Sequence, residues 1–129
     1  MIRAKSVLVV EDEAIMALDL QQWIAGCGYE VIGIADSCIE ALRMARARKP
    51  DIVFMDYGLK GNLDGATAAR ELSKQSTRIV FVTAHLDRVV RDARDIAARY
   101  LAKPISRNDI TQALIDIETG SGTERTLEP

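Results

Sequence analysis

The chain has 129 residues, 48% hydrophobic and 28% charged, which suits one domain able to bury a substantial core. Its formal charge of −2 leaves no basic footprint, so no direct nucleic-acid partner is expected. No apolar run approaches the roughly 20 residues of a membrane span and no signal-peptide pattern opens the chain, so no membrane association is expected.

Val7-Leu8-Val9-Val10 is a continuous β-branched run and reads as a first strand, ending in Glu11-Asp12-Glu13. From Ala14 to Cys27 the period turns helical, with Met16, Leu20, Trp23 or Ile24, and Cys27 on one face and Gly26 and Gly28 at the end. Glu30 to Ala35 reads as the next strand. Ser37-Cys38-Ile39-Glu40 has the form of a capping box, and Cys38, Leu42 and Ala45 form the stripe of the helix it opens. Cys27 and Cys38 lack CxxC spacing and read as reduced thiols of a cytoplasmic protein.

After Pro50, the residues Ile52-Val53-Phe54-Met55 lie between Asp51 and Asp56, as in a strand buried on both faces. A glycine-bearing loop follows, then a helix from about Asp64 to Lys74. Arg78 to Thr83 is another buried-type strand. Leu86, Val89, Val90, Ala93 and Ala97 give the cleanest helical period in the chain. Tyr100-Leu101-Ala102 reads as a short strand leading to Lys103-Pro104. Ser106-Arg107-Asn108-Asp109 is a second capping box, with Ile110, Leu114 and Ile117 on one helical face. Residues 119–129 have no apolar face and are expected to be a disordered polar tail to a folded unit of residues 1–118.

Strand and helix alternate five times with short connections. Parallel strands need crossover helices, so the fold class is a doubly wound α/β sheet; the pattern alone leaves the strand order open. In such sheets ligands bind at the carboxyl edge. That edge carries Glu11 and Asp12 after the first strand, Asp56 at the third, Thr83 at the fourth and Lys103 at the fifth. Three carboxylates within about 5 Å of one another repel by roughly 3 kcal/mol per pair at an effective dielectric of about 20. A divalent cation removes that penalty, and oxygen-only ligation suits Mg²⁺, with Mn²⁺ as a substitute, better than zinc. A lysine ammonium and a threonine hydroxyl suit the oxygens of a phosphoryl group, which leaves Asp56 as a nucleophile able to form an acyl phosphate.

Taken together and in order, VLVVEDE, DIVFMD, VFVTAH and YLAKP resemble the receiver domain of bacterial two-component response regulators, over residues 5 to about 118. The resemblance implies a flavodoxin-like fold with strand order 2-1-3-4-5, and Asp56 as phosphoacceptor from a histidine kinase or histidine phosphotransfer protein. Asp12 and Asp56 would bind the metal directly, Glu11 through water, and Gly58 through its backbone carbonyl. Thr83 would hydrogen-bond a phosphoryl oxygen and Lys103 would pair with it. Tyr100 would be the aromatic switch that turns inward as Thr83 moves, with the small Ala84 leaving room. The implied output is a protein partner on the face of the fourth helix, fifth strand and fifth helix, on a monomer or a phosphorylation-dependent dimer.

Three departures stand out. Lys60 replaces a usual proline in a loop one residue longer than the common form, a variant similar to alphaproteobacterial receivers that stand alone or join sensory kinases. DIAARY lacks the usual glycine, and Ile105 replaces a phenylalanine. His85 and Gly58 occupy positions that tune hydrolysis in the family, although His85 equally suits a surface position at a helix start. The arginines at 88, 91 and 94 interleave with aspartates at 87, 92 and 95, which reads as a salt-bridged solvated face. The expected role is a single-domain signalling or phosphorelay component that catalyses only its own phosphorylation and dephosphorylation. Alternatives are an unphosphorylated scaffold and a receiver fragment of a longer regulator or hybrid kinase. A small phosphotransferase would need a cap domain, and a flavodoxin would need a phosphate loop where Glu11-Asp12-Glu13 stands.

Overall fold

The computed structural model describes residues 5–59 and 64–120; Lys60, Gly61 and the polar tail from residue 121 lie outside them. The elements, in order, are β1 (Ser6–Val10), α1 (Ala14–Gly26), β2 (Glu30–Ala35), α2 (Cys38–Ala47), β3 (Ile52–Asp56), α3 (Gly65–Ser73), β4 (Arg78–Thr83), α4 (Leu86–Ala93), β5 (Ala97–Ala102) and α5 (Arg107–Thr119). The strands form one sheet in the order β2-β1-β3-β4-β5, with every pairing parallel.

The continuous apolar runs follow from burial on both faces. Every residue of β1 and β3 is buried, whereas the edge strands β2 and β5 are only partly so. Alternation survives inside the runs. Leu8, Val10, Val53, Met55 and Phe81 face a core closed by α2, α3 and α4. Val7, Val9, Ile52, Phe54, Val80 and Val82 face a second core closed by α1 and α5. Side chains alternate with a period of two residues, so each strand feeds both cores.

Several local expectations are refined. On α1 the inward line is Ala17, Leu20 and Ile24, while Met16, Trp23 and Cys27 are only partly buried against it. At α2 the Ser37 hydroxyl accepts from the Glu40 N–H at 3.1 Å, but the Glu40 carboxylate pairs with Arg43 instead of turning back, so the box is half made. At α5 the box is complete, and the helix closes at Gly120 with φ of 77°, a left-handed geometry that suits glycine.

Ala97 does not belong to α4. It pairs with Ile79 at the start of β5, and the next ladder pair is Val80 with Arg99, so Ala98 bulges. The helical spacing of Val89, Ala93 and Ala97 continues only by coincidence, because inward positions of a helix and of the strand after it both need small or apolar residues. Cys27 and Cys38 are free thiols.

Candidate functional site at the carboxyl edge

Register brings the site together. Val10 pairs with Met55, so the next residues, Glu11 and Asp56, stand side by side. Asp56 pairs with Val82, which puts Thr83 one step further along. Thr83 pairs with Ala102 and accepts the Lys103 N–H on its carbonyl at 2.7 Å, which carries Lys103 onto the same rim. The backbone of Glu11 stays in the ladder through its N–H to the Ala35 carbonyl, 2.9 Å. Four strand ends thus deliver five chemical groups to one place.

Carboxylate oxygens of Glu11, Asp12 and Asp56 all lie within 4.8 Å of one another. Glu11, Asp56 and Thr83 are buried at 2%, 8% and 1% exposure, while Asp12 faces solvent. The Lys103 Nζ sits between two of the carboxylates, 3.2 Å from Glu11 Oε1 and 3.3 Å from Asp56 Oδ2. Backbone donors take the other oxygens: Gly58 N–H to Asp56 Oδ1 at 2.9 Å and Glu13 N–H to Glu11 Oε2 at 3.2 Å. The Lys103–Pro104 peptide bond is cis.

The charges are out of balance. Three carboxylates face one ammonium, and at 4.8 Å each carboxylate pair still repels by about 3 kcal/mol at an effective dielectric of about 20. Burial, and next the Asp56 carboxylate, push the Glu11 carboxyl up to about 7; the Glu13 N–H and Lys103 pull the other way without prevailing. Burial alone would depress the Lys103 ammonium, but Asp56 and Glu11 outweigh it and hold its pKa above the ordinary value. A small dication would relieve the repulsion. Oxygen-only donors, two of them buried and one open to water, fit Mg²⁺, which keeps part of its hydration shell.

The remaining residues fall as follows. Thr83 Oγ1 accepts the His85 N–H at 2.9 Å, so the hydroxyl also organises the start of α4. His85 is exposed at the N-cap of α4 and makes no side-chain cap bond. Tyr100 is turned fully inward, 1% exposed, with its hydroxyl donating to the Arg94 carbonyl at 3.0 Å. The charged face is salt-bridged: Arg91 Nε lies 2.8 Å from Asp92, and Arg70 of α3 reaches Asp95 at 2.6 Å. Arg70 and Tyr57, whose hydroxyl donates to Asp92 at 2.7 Å, were not singled out by sequence. The only local signal was the adjacency of Tyr57 to Asp56, since Asp92 lies far along the chain.

A parallel 2-1-3-4-5 sheet that sets an acidic cluster and a lysine at its carboxyl edge defines an α/β domain of the flavodoxin-like kind. The family model for the response regulator receiver domain matches residues 7–115, and the chain belongs to that family. It is 41% identical over 113 residues to the transcriptional regulatory protein PdtaR of Mycobacterium tuberculosis, covering 85% of this chain and 55% of that one. The chain therefore spans about half the length of that relative. It is 32% identical over 114 residues to the chemotaxis protein CheY of Thermotoga maritima, covering 85% of this chain and 94% of that one. The solved signal receiver domain of NarL from M. tuberculosis superposes with a TM-score of 0.81 at 27% identity, over 92% of this chain and 99% of that one. No helix among the described residues is long and apolar enough to cross a membrane.

Proposed function

We propose that Asp56 accepts a phosphoryl group from a phosphohistidine on a histidine kinase or histidine phosphotransfer protein, and that this switches a protein-binding surface. The observation that carries the reading is the Lys103 ammonium held between Glu11 and Asp56 in a cluster whose three carboxylates outnumber its one positive charge. An Asp56 carboxylate oxygen attacks phosphorus, the new P–O bond forms as the P–N bond to the donor imidazole breaks, and the imidazole leaves with a proton. Water later reverses the state by hydrolysing the acyl phosphate. Mg²⁺, or Mn²⁺ in its place, would be held by Asp12, Asp56 and the Gly58 carbonyl, with Glu11 acting through water, and would neutralise charge on the transferring group.

The chain's own residues supply the rest. Lys103 moves from bridging two carboxylates to pairing with a phosphoryl oxygen, and the Thr83 hydroxyl donates to another. Thr83 already organises the start of α4, so a change in its bonding is felt there and at the buried Tyr100, biasing the surface of α4, β5 and α5. Ile15 and Leu18, 74% and 53% exposed on α1 just beyond Asp12, supply an apolar landing place for the donor protein. On this reading residues 1–118 form the switch and 119–129 a polar tail. On the same reading the domain is a cytoplasmic phosphorelay component that catalyses only its own phosphorylation and dephosphorylation, as a monomer or a phosphorylation-dependent dimer.

The test is intact mass after incubation with a small phosphodonor and Mg²⁺. A single phosphoryl adduct that vanishes with Asp56→Asn, and without the metal, is expected. No adduct in the wild type with Mg²⁺ bound would favour a scaffold role.

A further inference from the structure

Helix α4 is held weakly by packing. It fully buries Val89 and Ala93 alone among its eight residues, and its N-cap, His85, contributes no side-chain bond. An element with so few buried contacts belongs to the low-stability end of a fold, so its position is decided by whatever else grips it. The described grips are polar: Thr83 Oγ1 takes the His85 N–H at its start, the Tyr100 hydroxyl reaches the Arg94 carbonyl at its end, and the others meet at Asp92. Its carboxylate accepts the Tyr57 hydroxyl on Oδ2 at 2.7 Å and Arg91 Nε on Oδ1 at 2.8 Å. From α3, Arg70 Nη2 donates to the Asp92 carbonyl at 3.0 Å, and the same guanidinium forks onto Asp95 at 2.6 and 3.0 Å.

Tyr57 is no ordinary surface tyrosine. It follows Asp56 directly, and its N–H donates to the Val82 carbonyl at 3.2 Å, one residue before Thr83. Its ring meets Phe81 edge-on, with centroids 5.4 Å apart and planes at 86°. On another side lies Gly65, the first residue of α3, where an added Cβ would come within 3.1 Å of the ring. The backbone is tied to β4 and the ring is gripped on two sides. The hydroxyl therefore cannot follow Asp92 unless the end of β3 moves with it. The bond also borders a groove of about 760 Å³ between α3 and α4, so water can replace it when the ends part.

We propose that Tyr57 is a positioning residue that couples the phosphoacceptor end of β3 to α4 through Asp92, with Arg70 as the second jaw of the clasp. This route is separate from Thr83 and Tyr100, and it rests on the reading of Asp56 as acceptor. An acyl phosphate at Asp56 changes the oxygen that holds the Gly58 N–H, and with it the path of residues 56–58. The gripped ring carries that change to Asp92.

The test is amide hydrogen exchange across residues 86–93 in wild type, Tyr57→Phe, Asp92→Ala, Asp92→Asn and the Tyr57→Phe/Asp92→Ala double variant. Each is measured with and without beryllofluoride and Mg²⁺. In the resting protein, Tyr57→Phe and Asp92→Ala should each speed exchange about three- to tenfold, the double variant no more than either single one. Asp92→Asn, which still accepts from the phenol, should recover most of the protection, and exchange in β3 and β4 should stay unchanged. With beryllofluoride bound, the response of α4 in Tyr57→Phe should fall to about half that of wild type or less. Wild-type exchange of α4 in Tyr57→Phe, or additive single effects, would overturn the proposal. Absence of a beryllofluoride adduct in wild type, read by fluorine NMR, would instead overturn the acceptor assignment, and the resting comparison would still decide the clasp.

Discussion

Glu11→Gln should stabilise the metal-free protein at alkaline pH while damaging its response to Mg²⁺. Glu11 is 2% exposed, and its carboxyl is lifted from 4.5 to about 7, first by burial and then by Asp56. A folded pKa above the unfolded one means that the stabilising proton is fully present below about pH 4.5 and is lost as pH rises through about 7. Above that, holding Glu11 ionised costs on the order of 3 kcal/mol. Glutamine mimics the protonated form and never incurs this. The gain is an upper value, because the amide nitrogen gives up the acceptor role of one Glu11 oxygen, toward either Lys103 or the Glu13 N–H. For a domain of this size the gap corresponds to about 10 °C in Tm. Thermal unfolding in EDTA should therefore rank the variant above wild type at about pH 8 and bring the two together by about pH 4.5. Saturating Mg²⁺ adds stability as RT ln(1 + [Mg²⁺]/Kd), about 2.7 kcal/mol at a hundredfold excess over Kd, and should do so mainly for wild type. A variant no more stable than wild type at about pH 8 in EDTA would refute the electrostatic account of the site.

Three further outcomes follow from the same geometry. Mg²⁺ must displace the proton from Glu11, so its affinity should rise from about pH 6 to about pH 8 and then flatten, with proton release on binding measurable by titration calorimetry in buffers of different ionisation heat. Thr83→Ala should slow adduct formation about tenfold or more and cost about 1 kcal/mol through the lost bond to the His85 N–H, while Thr83→Ser keeps both, as rates by mass spectrometry and urea midpoints would read. Asp116→Ala should cost about 2 kcal/mol in urea unfolding, because it removes the buried carboxylate whose ion pair with Arg99 joins β5 to α5, whereas Arg99→Met with Asp116→Leu should recover most of the loss.

The sheet was legible because each central strand carries a continuous apolar run and each helix its own stripe; these are local patterns. The site was legible for a related reason. Parallel strands point their carboxyl ends the same way, so Glu11, Asp12, Asp56, Thr83 and Lys103 fall on one rim once the strands are found; that they meet there depends on the order β2-β1-β3-β4-β5, which the pattern alone left open. The end of α4 was not legible, since Ala97 satisfies the helical period and the strand alike, and only pairing with Ile79 decides between them. Nor was the Tyr57–Asp92–Arg70 clasp, which joins three elements through side chains that look like ordinary surface residues one at a time. Half of the first capping box failed for the same kind of reason: Glu40 had a competing partner one turn away in Arg43.

The most direct test of the central claim identifies the residue that takes the phosphoryl group. After reaction with a small phosphodonor and Mg²⁺, borohydride reduces an aspartyl phosphate to homoserine, making that residue lighter by about 14 Da, and peptide mass spectrometry locates it. The account predicts homoserine at position 56 alone, dependent on the metal. Reduction at position 11 or 12 instead, or none at 56 in a protein that carries the phosphoryl group, would contradict it.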